Sequence, residues 1–553
     1  MKDGKNQSNK EKVIDFDFKN WLQFIQLVSK KQMFLSVLLG VLRIVIATIW
    51  PFFLYIILKE IGVSSANKII LYFGILLFMF GLLTWFTHLQ SKINIRILKS
   101  FTLEMIDKIW KKMNSLEWLT FHQKNRVYFF DLLMVETWRL KSGMTALLES
   151  LIINTLIAAT LSCFVVFVNW SLFLVFFSGL LIMGIGHYFS SKQIRPLLKK
   201  FHQAWREQHL WVAKCVDQFD LIKMDRAYES SSKRNIENSS KFLEINAQVL
   251  QMQAKWRNIN QLLSNLVRIG VFIIGIYWVR IGYLGMDDLL LTLLLISIIQ
   301  VNIMQIPSAL NNLMEAQESF KTISDFFNLK GESSEHLNRI DTFGRLEKIT
   351  IKNLSYGYEN QDVISNFNLN LEVGKIYLWK GKNGSGKSTA AHILLSLIKP
   401  DRGNLFINEI EIPWQDLKQF RNRFAFLNQD SPIFMGSIKE NILFGHPNST
   451  AALETMHSSW LNRLLPISDM GLLRSVGERG EGLSGGEAKK IALIRETLRS
   501  SELLILDEPL NHLDEFSIQE ITREVLKIKQ NTIVIIISHQ NGFESIADKI
   551  IEF

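Results

Sequence analysis

Six apolar stretches constrain this chain more than any other feature. They lie near residues 33–58, 69–89, 147–168, 171–190, 262–284 and 287–309. Each is close to the twenty or so apolar residues that cross about 30 Å of hydrocarbon as a helix. Six such runs in the first half of a 553-residue chain are not the pattern of a soluble core. Their spacing is also informative. Short links such as Asn169-Trp170 join the stretches in pairs. Links of roughly sixty to seventy residues, which read as continuous amphipathic helix, join the second to the third and the fourth to the fifth. Half of such a link, at 1.5 Å per residue, projects roughly 40 Å beyond the membrane.

Basic residues separate the two sides. The link from Ser91 to Gly143 carries Lys92, Arg96, Lys99, Lys108, Lys111, Lys112, Lys124, Arg126, Arg139 and Lys141, and the link from Ser191 to Asn260 is similarly basic. The three short links hold Lys59, Lys68 and Arg280. The positive-inside rule therefore expects a multi-pass protein of the cytoplasmic membrane with both long links and both termini cytoplasmic. Cationic loops account for the net charge of +10 better than a nucleic-acid partner, and none is expected. Residues 1–32 are polar and Lys-rich, are expected to form a short cytosolic segment, and show no signal peptide. Cys163 lies in an apolar run and Cys215 in a charged helix, so no structural disulfide is expected.

Polar residues inside the apolar runs are candidates for a cargo pathway. Arg43 sits between Val41-Leu42 and Ile44-Val45; it either faces a cavity or reaches the inner interface. Arg268 and Arg280 are separated by roughly 18 Å of helix, too little to leave both outside the hydrocarbon. Asn302, Gln305, Ser308 and Asn312 recur at helical spacing, as a pathway lining or as interhelical hydrogen bonds. Trp50-Pro51 is expected to kink the first helix.

The second half is chemically different. A charged stretch at 326–346 suits a linker between a membrane domain at 33–325 and a domain at 347–553. From Ile349, short β-rich runs alternate with helices. Gly381-Lys382-Asn383-Gly384-Ser385-Gly386-Lys387-Ser388-Thr389 fits a phosphate-binding loop, with the strand-like Ile376-Tyr377-Leu378-Trp379 before it and a helix-forming run after it. Its glycines let main-chain N–H groups turn around an anion. Lys387 would reach the β- and γ-phosphates, and the Ser388 hydroxyl would ligate Mg²⁺.

With further motifs in order behind this loop, the second half resembles the nucleotide-binding domain of ABC transporters. The whole chain from about residue 20 resembles an exporter-type half-transporter, an α-helical polytopic membrane domain followed by an α/β P-loop ATPase domain. The resemblance implies ATP and Mg²⁺ as ligands. It implies that Tyr358, in Leu354-Ser355-Tyr356-Gly357-Tyr358, stacks on adenine, with Tyr356 facing the core. Gln429, in Phe426-Leu427-Asn428-Gln429-Asp430, would reach Mg²⁺ and the attacking water. Ser484-Gly485-Gly486-Glu487 resembles the signature that clamps ATP held by a second subunit, with Glu487 where Gln is commoner. Gly477-Glu478-Arg479-Gly480 resembles an exporter-specific contact segment. Asp507 would hold Mg²⁺, and Glu508 would act as general base. Asp514 matches the residue that communicates between sites, although the preceding Asn511-His512 looks more like soluble relatives. His539 resembles the switch histidine at the γ-phosphate.

A homodimer is expected, with a heterodimer as the alternative, because Lys387, Ser484, Glu508 and His539 are all present. Hairpin tips are expected near Met134–Lys141 and Met224–Ser231. The implied function is ATP-driven export of an amphipathic substrate by alternating access. A small, antimicrobial-type peptide is the favoured cargo, and drugs or lipids are the alternatives. A membrane-anchored regulatory ATPase is the reading from a different class.

Overall fold

In hydrocarbon an apolar stretch finds no water for its main-chain groups, so it must close its hydrogen bonds internally as helix. The computed structural model describes residues 29–60, 66–224, 227–332, 344–358, 361–445, 463–465, 469–477, 480–539 and 541–553. The expected N-terminal segment up to residue 28, part of the linker, Glu478, Arg479, Asp225 and Arg226 lie outside them. The chain divides into two compact units, Met1–Ser115 with Gln123–Leu329, and Leu116–His122 with Lys330–Phe553.

In the first unit six helices are long and apolar enough to cross a membrane. They are α1 (Lys30–Glu60), α2 (Ala66–Asn114), α4 (Arg126–Val168), α5 (Trp170–Asp217), α7 (Tyr228–Arg280) and α8 (Met286–Phe327). The short α6 (Phe219–Met224) falls between α5 and α7, and α3 (Trp118–His122), which follows α2 in the chain, belongs to the second unit. Pro51 and Pro307 lie inside α1 and α8. Asn169 starts α5 by accepting from Leu172 N–H at 2.9 Å. An apolar cluster including Leu161, Phe176, Val271 and Leu295 joins α4, α5, α7 and α8. Other apolar side chains point outward, such as Phe78 (66% exposed) and Phe167 (87%), where lipid is the natural solvent. Glycine brings helices together at specific places: a Cβ on Gly179 would lie 2.2 Å from Val267 Cγ2, and one on Gly275 would lie 2.2 Å from Leu289 Cδ1.

The first hairpin tip differs from expectation. Met134–Lys141 is interior to α4, and the reversal lies between Asn114 and Arg126. Asn125 defines it by accepting from Tyr128 N–H at 2.8 Å as the N-cap of α4. The sequence hid this turn because 116–122 is apolar and aromatic, without glycine or proline. α4 is also irregular, with π-helical turns at Asp131–Glu136 and Ala146–Leu151. At the second hairpin, α6 lies just before the expected tip.

The second unit is built on two larger sheets. β1 (Lys348–Tyr358), β2 (Gln361–Glu372), β4 (Arg402–Ile407) and β5 (Ile410–Ile412) form an antiparallel sheet in the order β2-β1-β4-β5. β3 (Ile376–Lys380), β6 (Phe424–Leu427), β9 (Leu503–Asp507), β10 (Ile533–Ile537) and β11 (Lys549–Glu552) form a parallel sheet in the order β11-β3-β10-β9-β6. β7 (Gly436–Ser437) and β8 (Ser475–Val476) make a small ribbon. Every residue of β9 and β10 is buried, as in a sheet covered on both faces. Leu503 and Ile505 enter one core cluster, and Leu504 and Leu506 enter the other. Residues 116–122 complete the unit: Trp118 and Leu119 pack against the first cluster, and Glu117 N–H donates to Lys330 O at 3.3 Å.

Candidate functional site

Parallel pairing places the functional residues. Ile537 of β10 lies opposite Trp379 of β3 on one side and Asp507 of β9 on the other, and Leu506 of β9 lies opposite Leu427 of β6. The carboxyl ends of four strands therefore finish together, and the loops beyond them share one edge, the usual ligand crevice of an open parallel sheet. That edge carries the glycine-rich loop, Gln429, Asp507, Glu508 and His539.

The loop turns through Gly381, Gly384 and Gly386, whose φ values of 152°, 81° and 98° are ones that side-chain-bearing residues avoid. Space matters as well, since a Cβ on Gly381 would lie 2.7 Å from Phe553 O. Gly386 is the N-cap of α9 (Lys387–Leu394). Lys387 is 6% exposed and folds back into the loop, donating to Gly381 O at 2.8 Å and Lys382 O at 2.9 Å. Burial lowers its pKa, while Asp507 and Glu508 pull the other way. Lys382, Asn383, Gly384 and Ser388 are exposed, and Thr389 is buried.

Asp507 and Glu508 are 7% and 8% exposed. Burial raises the Asp507 carboxyl above its ordinary value and Glu508 beside it adds to this, against Lys489, Lys387 and His539. Glu508 has φ of 48°, a left-handed conformation that costs a side-chain-bearing residue roughly 1–3 kcal/mol. Its N–H donates to Ile537 O at 2.9 Å, and its Oε1 accepts from His539 N–H at 3.2 Å. The His539 ring stands 3.8 Å from the same carboxylate. Two desolvated acids and the exposed Ser388 at the same sheet edge offer hard oxygen donors, which fits Mg²⁺ completed by phosphate oxygens. Tyr358, 41% exposed at the end of β1, stands edge-on to the buried Tyr356, with ring centroids 5.0 Å apart.

The signature-like residues form a second group. Ser484 caps α10 (Gly485–Thr497). Glu487 closes a reciprocal box: Ser484 N–H donates to Glu487 Oε2 at 2.7 Å, and Glu487 N–H donates to Ser484 Oγ at 3.2 Å. That explains Glu487 structurally. A Cβ on Gly486 would lie 2.9 Å from His512 O, and Lys490 pairs with Asp514 at 3.1 Å, so this group is joined to Asn511–Asp514. His512 is also left-handed, with φ of 67°. Lys489, which sequence reading passed over, donates to Gln429 O at 3.3 Å and so ties α10 to the sheet edge.

The first unit holds a cavity of about 1,010 Å³ among α4, α5, α7 and α8. Phe173, Phe177 and Met183 supply apolar wall, and His187, Arg257, Asn260, Asn311 and Glu315 supply polar wall. Both ring nitrogens of His187, Asn260 Oδ1 and Asn311 Oδ1 are buried with no hydrogen-bond partner among the described residues. Ser308 and Asn312 line the cavity, whereas Arg43, Arg268, Asn302 and Gln305 do not. Arg268 donates to Asn265 Oδ1 at 2.7 Å, Asn302 to Ile298 O at 2.8 Å, and Gln305 Oε1 accepts from Asn154 at 3.2 Å.

Comparison with known proteins follows the same division. The family described as ABC transporter transmembrane region matches residues 33–303, and that described as ABC transporter matches residues 364–511. An uncharacterized ABC transporter ATP-binding protein, YwjA, of Bacillus subtilis (strain 168) is 23% identical over 70% of this chain and 68% of its own length. An ATP-dependent lipid A-core flippase of Neisseria gonorrhoeae is 30% identical over 37% of this chain, and the chain spans only 33% of that protein's length. The solved structure of a bacterial Atm1-family ABC exporter with ATP bound shares the fold at a TM-score of 0.84 and 17% identity, over 95% of this chain and 94% of that one.

Proposed function

Because this chain belongs to the ABC transporter family as an exporter-type half-transporter, we propose that two copies use ATP to move an amphipathic cargo out across the cytoplasmic membrane by alternating access. The observation that carries the reading is the register Trp379–Ile537–Asp507, which lines up the phosphate loop, His539 and the Asp507–Glu508 pair on one edge. The loop N–H groups and Lys387 bind the β- and γ-phosphates, and Tyr358 stacks on the adenine. Ser388, Gln429 and Asp507 would hold Mg²⁺, which offsets phosphate charge when bound. Glu508 orients the attacking water and accepts its proton, and His539 contacts the γ-phosphate. Ser484–Glu487 of a second copy closes over that phosphate, so each ATP is shared by two chains. ATP favours the closed pair through its differential affinity for it.

The excess of Lys and Arg in the long links supports a cytoplasmic location for the ATPase units and both termini. The cargo reading rests on the cavity in the first unit. Aromatic wall beside both charge signs and unpartnered imidazole and amide groups suits a peptide, with apolar side chains and a main chain full of donors and acceptors. The test uses reconstituted vesicles. The wild type hydrolyses ATP and accumulates labelled peptide in inside-out vesicles. Glu508→Gln binds ATP but loses both activities by about 100-fold or more. Hydrolysis without movement of peptide, drug or lipid would leave the regulatory-ATPase reading instead.

A further inference from the structure

Lys489 is a buried cation that the mechanism above does not use. It lies on α10, five residues after Ser484, and is 4% exposed. Its neighbour Lys490, a helical step of roughly 100° away, turns instead to Asp514 at 3.1 Å. A buried ammonium group costs several kcal/mol unless anions compensate it. Burial is the larger effect and lowers the Lys489 pKa, and Asp507, Glu508 and Asp430 offset part of it. Its ammonium donates to the main-chain oxygen of Gln429 at 3.3 Å. One side chain thus ties the helix that begins at the signature to the Gln429 loop, and the acids at the end of β9 act on its charge.

We propose that Lys489 is a positioning residue, an internal cation that balances Asp507 and Glu508 before Mg²⁺–nucleotide arrives and then opposes the Mg²⁺ electrostatically. Like charges within a desolvated site repel strongly, so the resident ammonium weakens Mg²⁺ binding while keeping the two acids and Gln429 in place. Mg²⁺ is held less tightly than the acids alone would hold it, which eases its departure with the products. The proposal rests on the reading of Asp507 and Glu508 as the Mg²⁺–ATP site.

The experiment titrates MgCl₂ into the full-length protein in lipid nanodiscs with a fluorescent, non-hydrolysable ATP analogue. Binding, rather than turnover, is the readout. Lys489→Gln and Lys489→Met, both close to lysine in size, should reach half-maximal Mg²⁺-dependent enhancement at roughly tenfold lower Mg²⁺ than wild type. Lys489→Arg, which keeps the charge, should stay at the wild-type midpoint. Analogue binding without Mg²⁺ should weaken in the two neutral variants, whose acids then meet the phosphates unbalanced, and should hold in Lys489→Arg. A Mg²⁺ midpoint that is unchanged or raised in both neutral variants overturns the role given to Lys489. Failure of the wild type to bind the analogue overturns the nucleotide site itself, and this proposal with it.

Discussion

At the scale of the residue, Asp514 shows how a hydrogen bond and an ion pair combine on one carboxylate. Its carboxylate accepts from Ser517 and pairs with Lys490, and these contacts lower its pKa from 3.8 to about 2. A depressed acid stabilises the fold above its unfolded value, and that contribution is lost as pH falls from about 4 toward 2. Asp514→Asn should therefore lower the thermal midpoint at neutral pH and flatten its decline in acid, as followed by intrinsic fluorescence; identical acid profiles would show that the pairing carries no stability. The residue scale is also where sequence reading was most uneven. The likeness of Ser484–Glu487 to the signature hid the capping-box use of Glu487, although the spacing suits one. Which of two adjacent lysines turns inward was not legible either, because that depends on how α10 is rotated against the sheet.

At the scale of the element, the apolar runs announced six helices, since hydrocarbon length fixes helix length. The strand–loop–helix around the phosphate loop was legible for a similar reason, because glycine is needed where φ is positive. The first hairpin tip was not legible. Its turn is set by Asn125 and by packing of Trp118 and Leu119 into a core assembled from residues far away in sequence. Helix contacts were equally hidden, because a glycine that meets a neighbour looks like one that meets nothing. Gly179→Ala would push a methyl against Val267 and should destabilise the first unit by about 1–3 kcal/mol. Gly74→Ala, with nothing within 4 Å, should be neutral. Thermal unfolding of the two variants in the same detergent checks this, and equal losses would refute the close approach of α5 and α7.

At the scale of the whole molecule, the shared-site reading predicts complementation between broken chains. Lys387→Ala removes the phosphate-loop cation, and Ser484→Arg fills the signature's anion site. Each alone should abolish ATP hydrolysis. Co-expressed, mixed dimers gather both lesions in one site and leave the other intact, so activity should recover to roughly a quarter of wild type if pairing is random. No recovery in purified mixed dimers would count against sites shared between subunits. The division of the chain also bears on its synthesis. Residues 116–122 belong to the second unit, yet the rest of that unit begins only at Lys330. A ribosome adding about 5–20 residues per second makes the segment tens of seconds before its partners exist. Trp118 and Leu119 spend that time without the core they later join. A fragment beginning at Lys330 would have the opposite defect, a finished core missing its earliest-made piece, so the ATPase unit cannot be obtained whole by cutting the chain once.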